Sequence, residues 1–249
     1  MLRSKIVRFL FLVLMIFTMS ISLKAQSNTQ LWYEYMLNVP FMNSFNFENA
    51  FNYNTVVGKP KWRSLEYNAT LEYSLSANFD LLGSTLISYT AQTESYNTFE
   101  LRPMVGTRIF FTPHKRIQTR LLLRLEQRNF KNMDTKEWDH VLRPRIRGEI
   151  IIPINQDSYF KNNLWYVTTD AELLFVNDDV DERFANRLRL RAGVGYRLNY
   201  SMRFEVLYMN QQSKNGIDDD FTSNDNVIRL RLKHFLRKTK PTTSSGVGG

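Results

Sequence analysis

From Arg187 to Leu198 the chain reads RLRLRAGVGYRL, with Arg187, Arg189 and Arg191 at alternate positions and Arg197 on the same parity. A guanidinium presents a planar fork of donors that matches a carboxylate or another oxyanion, so arginines at this spacing can brace acidic side chains or hold a soluble anion. The pattern recurs as Arg143, Arg145, Arg147; as Arg120, Arg124, Arg128; as Arg102 and Arg108; and as Arg229, Arg231, Lys233, with Arg203 nearby. Carboxylates occupy matching positions in the same or neighbouring segments: Glu100, Glu126, Glu149, Asp170, Glu172 and Glu205, joined by Glu48, Glu66 and Glu72.

Other reactive types are sparse. The histidines are His114, His140 and His234, and there is no cysteine, so neither thiol chemistry nor disulfides enter. His140, with Glu137 and Asp139 beside it, is the best placed for a serine hydrolase at a membrane rim, but no serine with a recognisable motif accompanies it. A histidine there reads more simply as an amphipathic residue at an interface, and the sequence is read as that of a non-enzyme. The acidic stretches NDDVDER (177–183) and GIDDDFTSND (216–225) invite calcium, yet neither has the twelve-position spacing of a helix-loop-helix site. They read as solvated loops. No metal, cofactor or nucleic-acid partner is expected, since metal-ligand spacings and phosphate-cradling glycine loops are both missing.

Positioning every second side chain on one face requires extended chain, because successive residues of a strand point to opposite sides. The alternation is general. Leu65, Tyr67, Ala69, Leu71, Tyr73 and Leu75 oppose Ser64, Glu66, Asn68, Thr70, Glu72 and Ser74; similar segments cover 45–53, 99–111, 117–128, 138–152, 165–175, 202–208 and 228–236. These segments run to about 10–15 residues, against five or six in soluble sheets and about 9–11 in tilted transmembrane strands. Tryptophans and tyrosines gather near segment ends, as at Trp32, Tyr33, Tyr35, Trp62, Trp138 and Trp165, which fits the aromatic girdles of outer-membrane barrels. A soluble sandwich shares the period but not the lengths.

Putting the arginines outward would cost about 2–4 kcal/mol each near a bilayer midplane, so the aliphatic parity faces lipid and the charged parity faces a lumen. Two readings of that lumen stay open. Arg and Glu from neighbouring strands can fill it, leaving a rigid scaffold whose outer loops carry function. Alternatively, the surplus of arginine lines a narrow passage for small anionic solutes.

The first residues, MLRSKIVRFLFLVLMIFTMSISLKAQ, place Arg3, Lys5 and Arg8 before an apolar run too short to cross a bilayer, the order of a cleaved secretory signal ending at Ala25. Its loss removes four basic residues (Arg3, Lys5, Arg8, Lys24), so the formal charge of +9 falls to about +5, too mild to imply nucleic acid. Long polar connections at 92–98, 131–137, 177–186 and 212–225 alternate with shorter ones at 76–80, 112–116 and 198–201, with 154–163 intermediate, as outer loops and periplasmic turns do.

The segments QLWYEYML, FELRPMVGTRIFF, HVLRPRIRGEI, LWYVTTDAELLF and NRLRLRAGVGYRLNYSMRFEVLY resemble the outer-membrane barrel family catalogued as domain of unknown function 2490, over nearly all of the mature chain. The resemblance implies a Gram-negative outer-membrane barrel and brings no catalytic or binding residues. The expected organisation is a signal peptide at 1–25, one all-β antiparallel transmembrane barrel at 26–237 and a disordered tail at 238–249. Eleven strands can be counted, but a single-chain bacterial barrel with both ends in the periplasm needs an even number, so twelve are expected, with ten as the fallback. Outer-membrane lipid and the outer-membrane assembly machinery are the expected partners.

Overall fold

The computed structural model describes residues 29–42, 44–91, 97–175, 186–213 and 223–236. The expected signal peptide, the tail and most of the two acidic loops lie outside the described residues. Eleven strands follow one another: β1 Thr29–Phe41, β2 Phe45–Val56, β3 Lys59–Ser76, β4 Phe79–Ala91, β5 Thr98–Phe110, β6 Gln118–Asn132, β7 Trp138–Pro153, β8 Leu164–Leu174, β9 Asn186–Arg197, β10 Met202–Ser213 and β11 Ser223–Phe235. Each pairs antiparallel with the next, and the ring closes through β1 and β11 into one barrel.

That closure corrects the expected count of twelve. β1 and β11 run parallel, from Thr29 opposite Asn226 to Asn38 opposite Phe235. An even number is required only when first and last strands meet antiparallel, and a parallel ladder satisfies the same backbone groups with slanted hydrogen bonds. Eleven strands therefore close without a remainder, and the two ends of the barrel chain lie at opposite mouths.

The connections divide between those mouths, the longer ones mostly at one of them. The strand ends that flank 92–97, 133–137, 175–185 and 214–222 meet at one mouth with the tight β2–β3 turn, where Gly58 adopts φ +78°, a conformation glycine enters without a side-chain clash. Those at 42–44, 77–78, 111–117, 154–163 and 198–201 sit at the other. We call these the long-loop and short-turn mouths.

Because the side-chain period is two, one register fixes both faces of every strand. Outward are Leu65, Val105, Leu190, Val194, Val206 and Leu230, all exposed. Aromatic side chains cluster on this surface near each mouth. Tyr33 stacks on Tyr53, and Trp138 packs edge-on against Phe99 and flat on His140 at the long-loop mouth; Phe41, Phe45 and Tyr73 form a run, and Trp165 meets Tyr196, at the short-turn mouth. Between these groups the outward positions of the described strands carry no Asp, Glu, Lys or Arg.

Proline interrupts the ladder where its missing N–H matters. On β5, Pro103 pairs with Thr85 of β4, but β5–β6 pairing lapses at Arg102 and Pro103 and resumes at Met104 in the same register, since proline cannot donate to that side.

Candidate functional site

The inward face is where charge collects, and the registers set its rows. One row across adjacent strands reads Arg147, Glu172, Arg189, Gln211; the next reads Arg120, Glu149, Asp170, Arg191, Met209. Opposite charges thus fall side by side about 5 Å apart on neighbouring strands.

At the centre lie two carboxylates with no exposed surface, Glu126 and Glu172. Glu126 accepts from Arg143 at 2.8 Å and Arg145 at 2.6 Å; Glu172 accepts from Arg124 at 2.7 Å, with Arg145 again at 2.7 Å and Arg191 at 3.5 Å. Arg145 therefore ties β6 to β8 by holding both acids. Around this centre, Arg191 donates to Asp170 at 2.6 Å and Arg120 grips Glu149 through two bonds of 2.8 and 2.7 Å. Towards the long-loop mouth, Arg102 and Arg128 converge on Glu100, at 2.6 and 2.7 Å.

Other braces skip strands. Arg108 of β5 passes β4 to reach Glu72 of β3 at 2.8 Å, with Asp80 at 3.5 Å. On the closing seam Arg229 and Arg231 meet Glu34 of β1, and Arg231 and Lys233 also meet Glu205 of β10, at 3.0 and 2.8 Å. The parallel seam is thus pinned from inside by charge. Tyr166 of β8 lies across β9 and donates its hydroxyl to Glu205 of β10 at 2.6 Å. Gly195 makes that possible: a Cβ there would stand 2.2 Å from the Tyr166 ring.

The sector β2–β4 is different. Asn54 donates to Glu66, Ser84 to Asn68, and Thr70 bonds Ser84, so much of this wall is neutral and polar. The barrel interior contains a cavity of about 430 Å³ lined by twelve basic and seven acidic side chains. Arg124, Arg145, Arg147, Arg189, Arg191, Arg229 and Arg231 are among the basic ones.

Among the described inward-facing arginines, four stand apart from this pairing. Arg147 has no carboxylate within 4 Å among the described residues, and Arg189 has only Glu172 at 3.8 Å. Arg197 and Arg203, neighbours on β9 and β10, instead hold the β7–β8 connection. Arg197 donates to the Tyr159 carbonyl at 3.0 Å, and Arg203 to the Tyr159 hydroxyl at 2.7 Å with its guanidinium over the ring. Tyr159 also meets Tyr166 edge-on and lines the cavity, so one connection enters the short-turn mouth. The backbone of Arg187 belongs to β9, while its side chain lies outside the described residues.

Some participants were not foreseen. Glu34 lies on the inward parity of QLWYEYML, so the period alone could have found it. Trp32 shares that parity and turns inward under Arg229, 4.6 Å from guanidinium to ring, rather than joining an outer girdle. No local signal marks Tyr159. Of the histidines, His140 bonds Asn129 at 2.7 Å and stacks on Trp138, and His234 bonds Tyr35 at 3.1 Å. Those partners are an amide, an indole and a phenol.

A family described as "Protein of unknown function (DUF2490)" has a model that matches residues 29–222. No curated protein matches the sequence.

Proposed function

Since the chain belongs to the family described as protein of unknown function (DUF2490), whose description assigns no activity, we propose from the barrel's own chemistry that it is an integral outer-membrane protein. In this reading it is a braced scaffold that presents its long loops outside the cell. The observation that carries the reading is the outward face: eleven strands of 11–18 residues whose outward positions are free of charge between two aromatic groups. Such a surface is unfavourable in water and favourable in hydrocarbon flanked by headgroups. The arrangement of inner ion pairs supports a scaffold, because guanidinium braces that join three strands hold the cross-section. The reading assigns no catalysis.

The test is to refold residues 26–249 from urea into phospholipid vesicles. The barrel should migrate faster on unboiled than on boiled SDS gels and resist alkaline extraction. A chain that folds to the same β structure as a monodisperse particle in detergent-free buffer would remove the membrane from this account. Assembly through the outer-membrane machinery and the secretory leader belong to the same proposal; truncation of β11 should abolish insertion in cells.

One observation favours a second reading, a narrow anion-selective passage: the cavity is lined by more cations than carboxylates. Conductance across a planar bilayer under a salt gradient tests it. Anion-selective openings whose preference falls or reverses when Arg189 and Arg191 are changed to Glu support the passage, whereas an inserted, silent barrel leaves the arginines as struts.

A further inference from the structure

The carboxylates at the centre of the interior are fully committed, and two arginines beside them are not. Glu172 stands between Arg147 on β7 and Arg189 on β9 in one row of the sheet. One of its oxygens is taken at 2.7 Å by both Arg124 and Arg145, and the other lies 3.5 Å from Arg191. Arg189 is left at 3.8 Å from that second oxygen, and Arg147 has no carboxylate within 4 Å among the described residues. The Nε atoms of both are buried without a hydrogen-bond partner. Yet both side chains, with Arg124, line the 430 Å³ cavity.

Two guanidiniums separated by two strand spacings, about 10 Å at the backbone, share one already neutralised acid. Both side chains border open space. Charges held this way in a confined interior repel one another unless an anion joins them, and the guanidinium fork selects carboxylate or phosphate oxygens over halide. We infer that the space bordered by Arg124, Arg147 and Arg189 is a binding site for a small oxyanion carrying two or more negative charges on phosphate or carboxylate groups. A divalent ion serves both Arg147 and the weakly paired Arg189; a monovalent one serves only one of them. The cavity volume lies within the range of small-ligand sites. This inference deepens the anionic-solute reading by naming a site, and it rests on the enclosed charged face rather than on membrane insertion.

The experiment is calorimetric titration of the full refolded chain in zwitterionic detergent micelles with inorganic phosphate, citrate, acetate and chloride at constant ionic strength. Saturable one-to-one binding of phosphate or citrate is expected, with acetate and chloride at least tenfold weaker. The phosphate and citrate arms separate a phosphoryl ligand from a polycarboxylate. Arg147→Gln with Arg189→Gln should weaken the preferred anion at least tenfold in a barrel that still shows the folded gel mobility, whereas the outward-facing Arg63→Gln should not. If the double variant does not fold, Arg147→Lys, which keeps the charge but not the fork, should still lower affinity severalfold. No saturable binding by wild type, equal affinity for chloride, or undiminished binding in the folded variants would each overturn the site. A folded, vesicle-inserted barrel that binds nothing defeats this inference alone, and a water-soluble chain that binds phosphate defeats only the membrane reading.

Discussion

Replacing Glu126 with Gln tests whether the interior behaves as a dry core or as a wet channel wall. Glu126 has no exposed surface and Arg143 is 3 % exposed; they meet at 2.8 Å. Among the described residues Arg143 contacts no other carboxylate, whereas Arg145 keeps Glu172 at 2.7 Å. The substitution therefore leaves one buried guanidinium uncompensated and another half-compensated, a loss of about 3–5 kcal/mol for breaking a buried pair. The internal comparison is Glu72→Gln. Arg108 and Glu72 are 18 % and 12 % exposed, and Arg108 retains Asp80 at 3.5 Å, so this wetter pair should lose about 1 kcal/mol. Adding Arg143→Gln to Glu126→Gln removes the stranded charge and should recover about 2 kcal/mol. Urea unfolding of vesicle-inserted protein, followed by tryptophan fluorescence, gives these differences if the denaturant slope stays constant. Equal losses for the two single variants, or a loss below about 1 kcal/mol for Glu126→Gln, would refute the graded-burial argument.

Val194, which sits between Val167 and Val206 on the outward face, should resist charge: Val194→Arg is expected to cost about 2–4 kcal/mol of membrane stability, read by the same urea assay. Gly195→Ala drives a methyl group into the Tyr166 ring and should lose about 1–3 kcal/mol as an overpacked site, while Tyr166→Phe, which only breaks the bond to Glu205, should lose about 1 kcal/mol in the same measurement. Single cysteines replacing Thr135 and the exposed Met42 should react with an impermeant maleimide from opposite sides of oriented vesicles, since these positions occupy opposite mouths; labelling from the same side would contradict the topology.

What the sequence disclosed follows from the arithmetic of strands. A period of two is local, so a segment such as Leu188–Tyr196 declares both of its faces without reference to any neighbour. Glu34 and Trp32 were open to the same reasoning, but the aromatic crowding of QLWYEYML suggested a girdle instead of a charged face. Closure is not local. Whether strand eleven meets strand one parallel or antiparallel depends on the whole ring, and the rule that bacterial barrels are even pulled the expected number to twelve. The partition between paired and unpaired arginines is likewise unreadable in one dimension: Arg147 stands directly opposite Glu172 yet has no carboxylate within 4 Å among the described residues, whereas Arg145, opposite Leu174, reaches diagonally to both Glu126 and Glu172. Tyr159 sits in a connection without period, and its place in the mouth comes from what Arg197 and Arg203 offer it.

An odd ring also says something about how such a chain can be built and rebuilt. Barrels with an even count can be decomposed into whole hairpins, so duplication of a hairpin unit can enlarge them and a short linker can join their adjacent ends. Eleven strands leave one unmatched after five hairpins, so no series of hairpin duplications alone yields this ring. A circular permutant would need a bridge running the full height of the wall, roughly the span of a transmembrane strand. The starting point of the chain is therefore not interchangeable with its other turns.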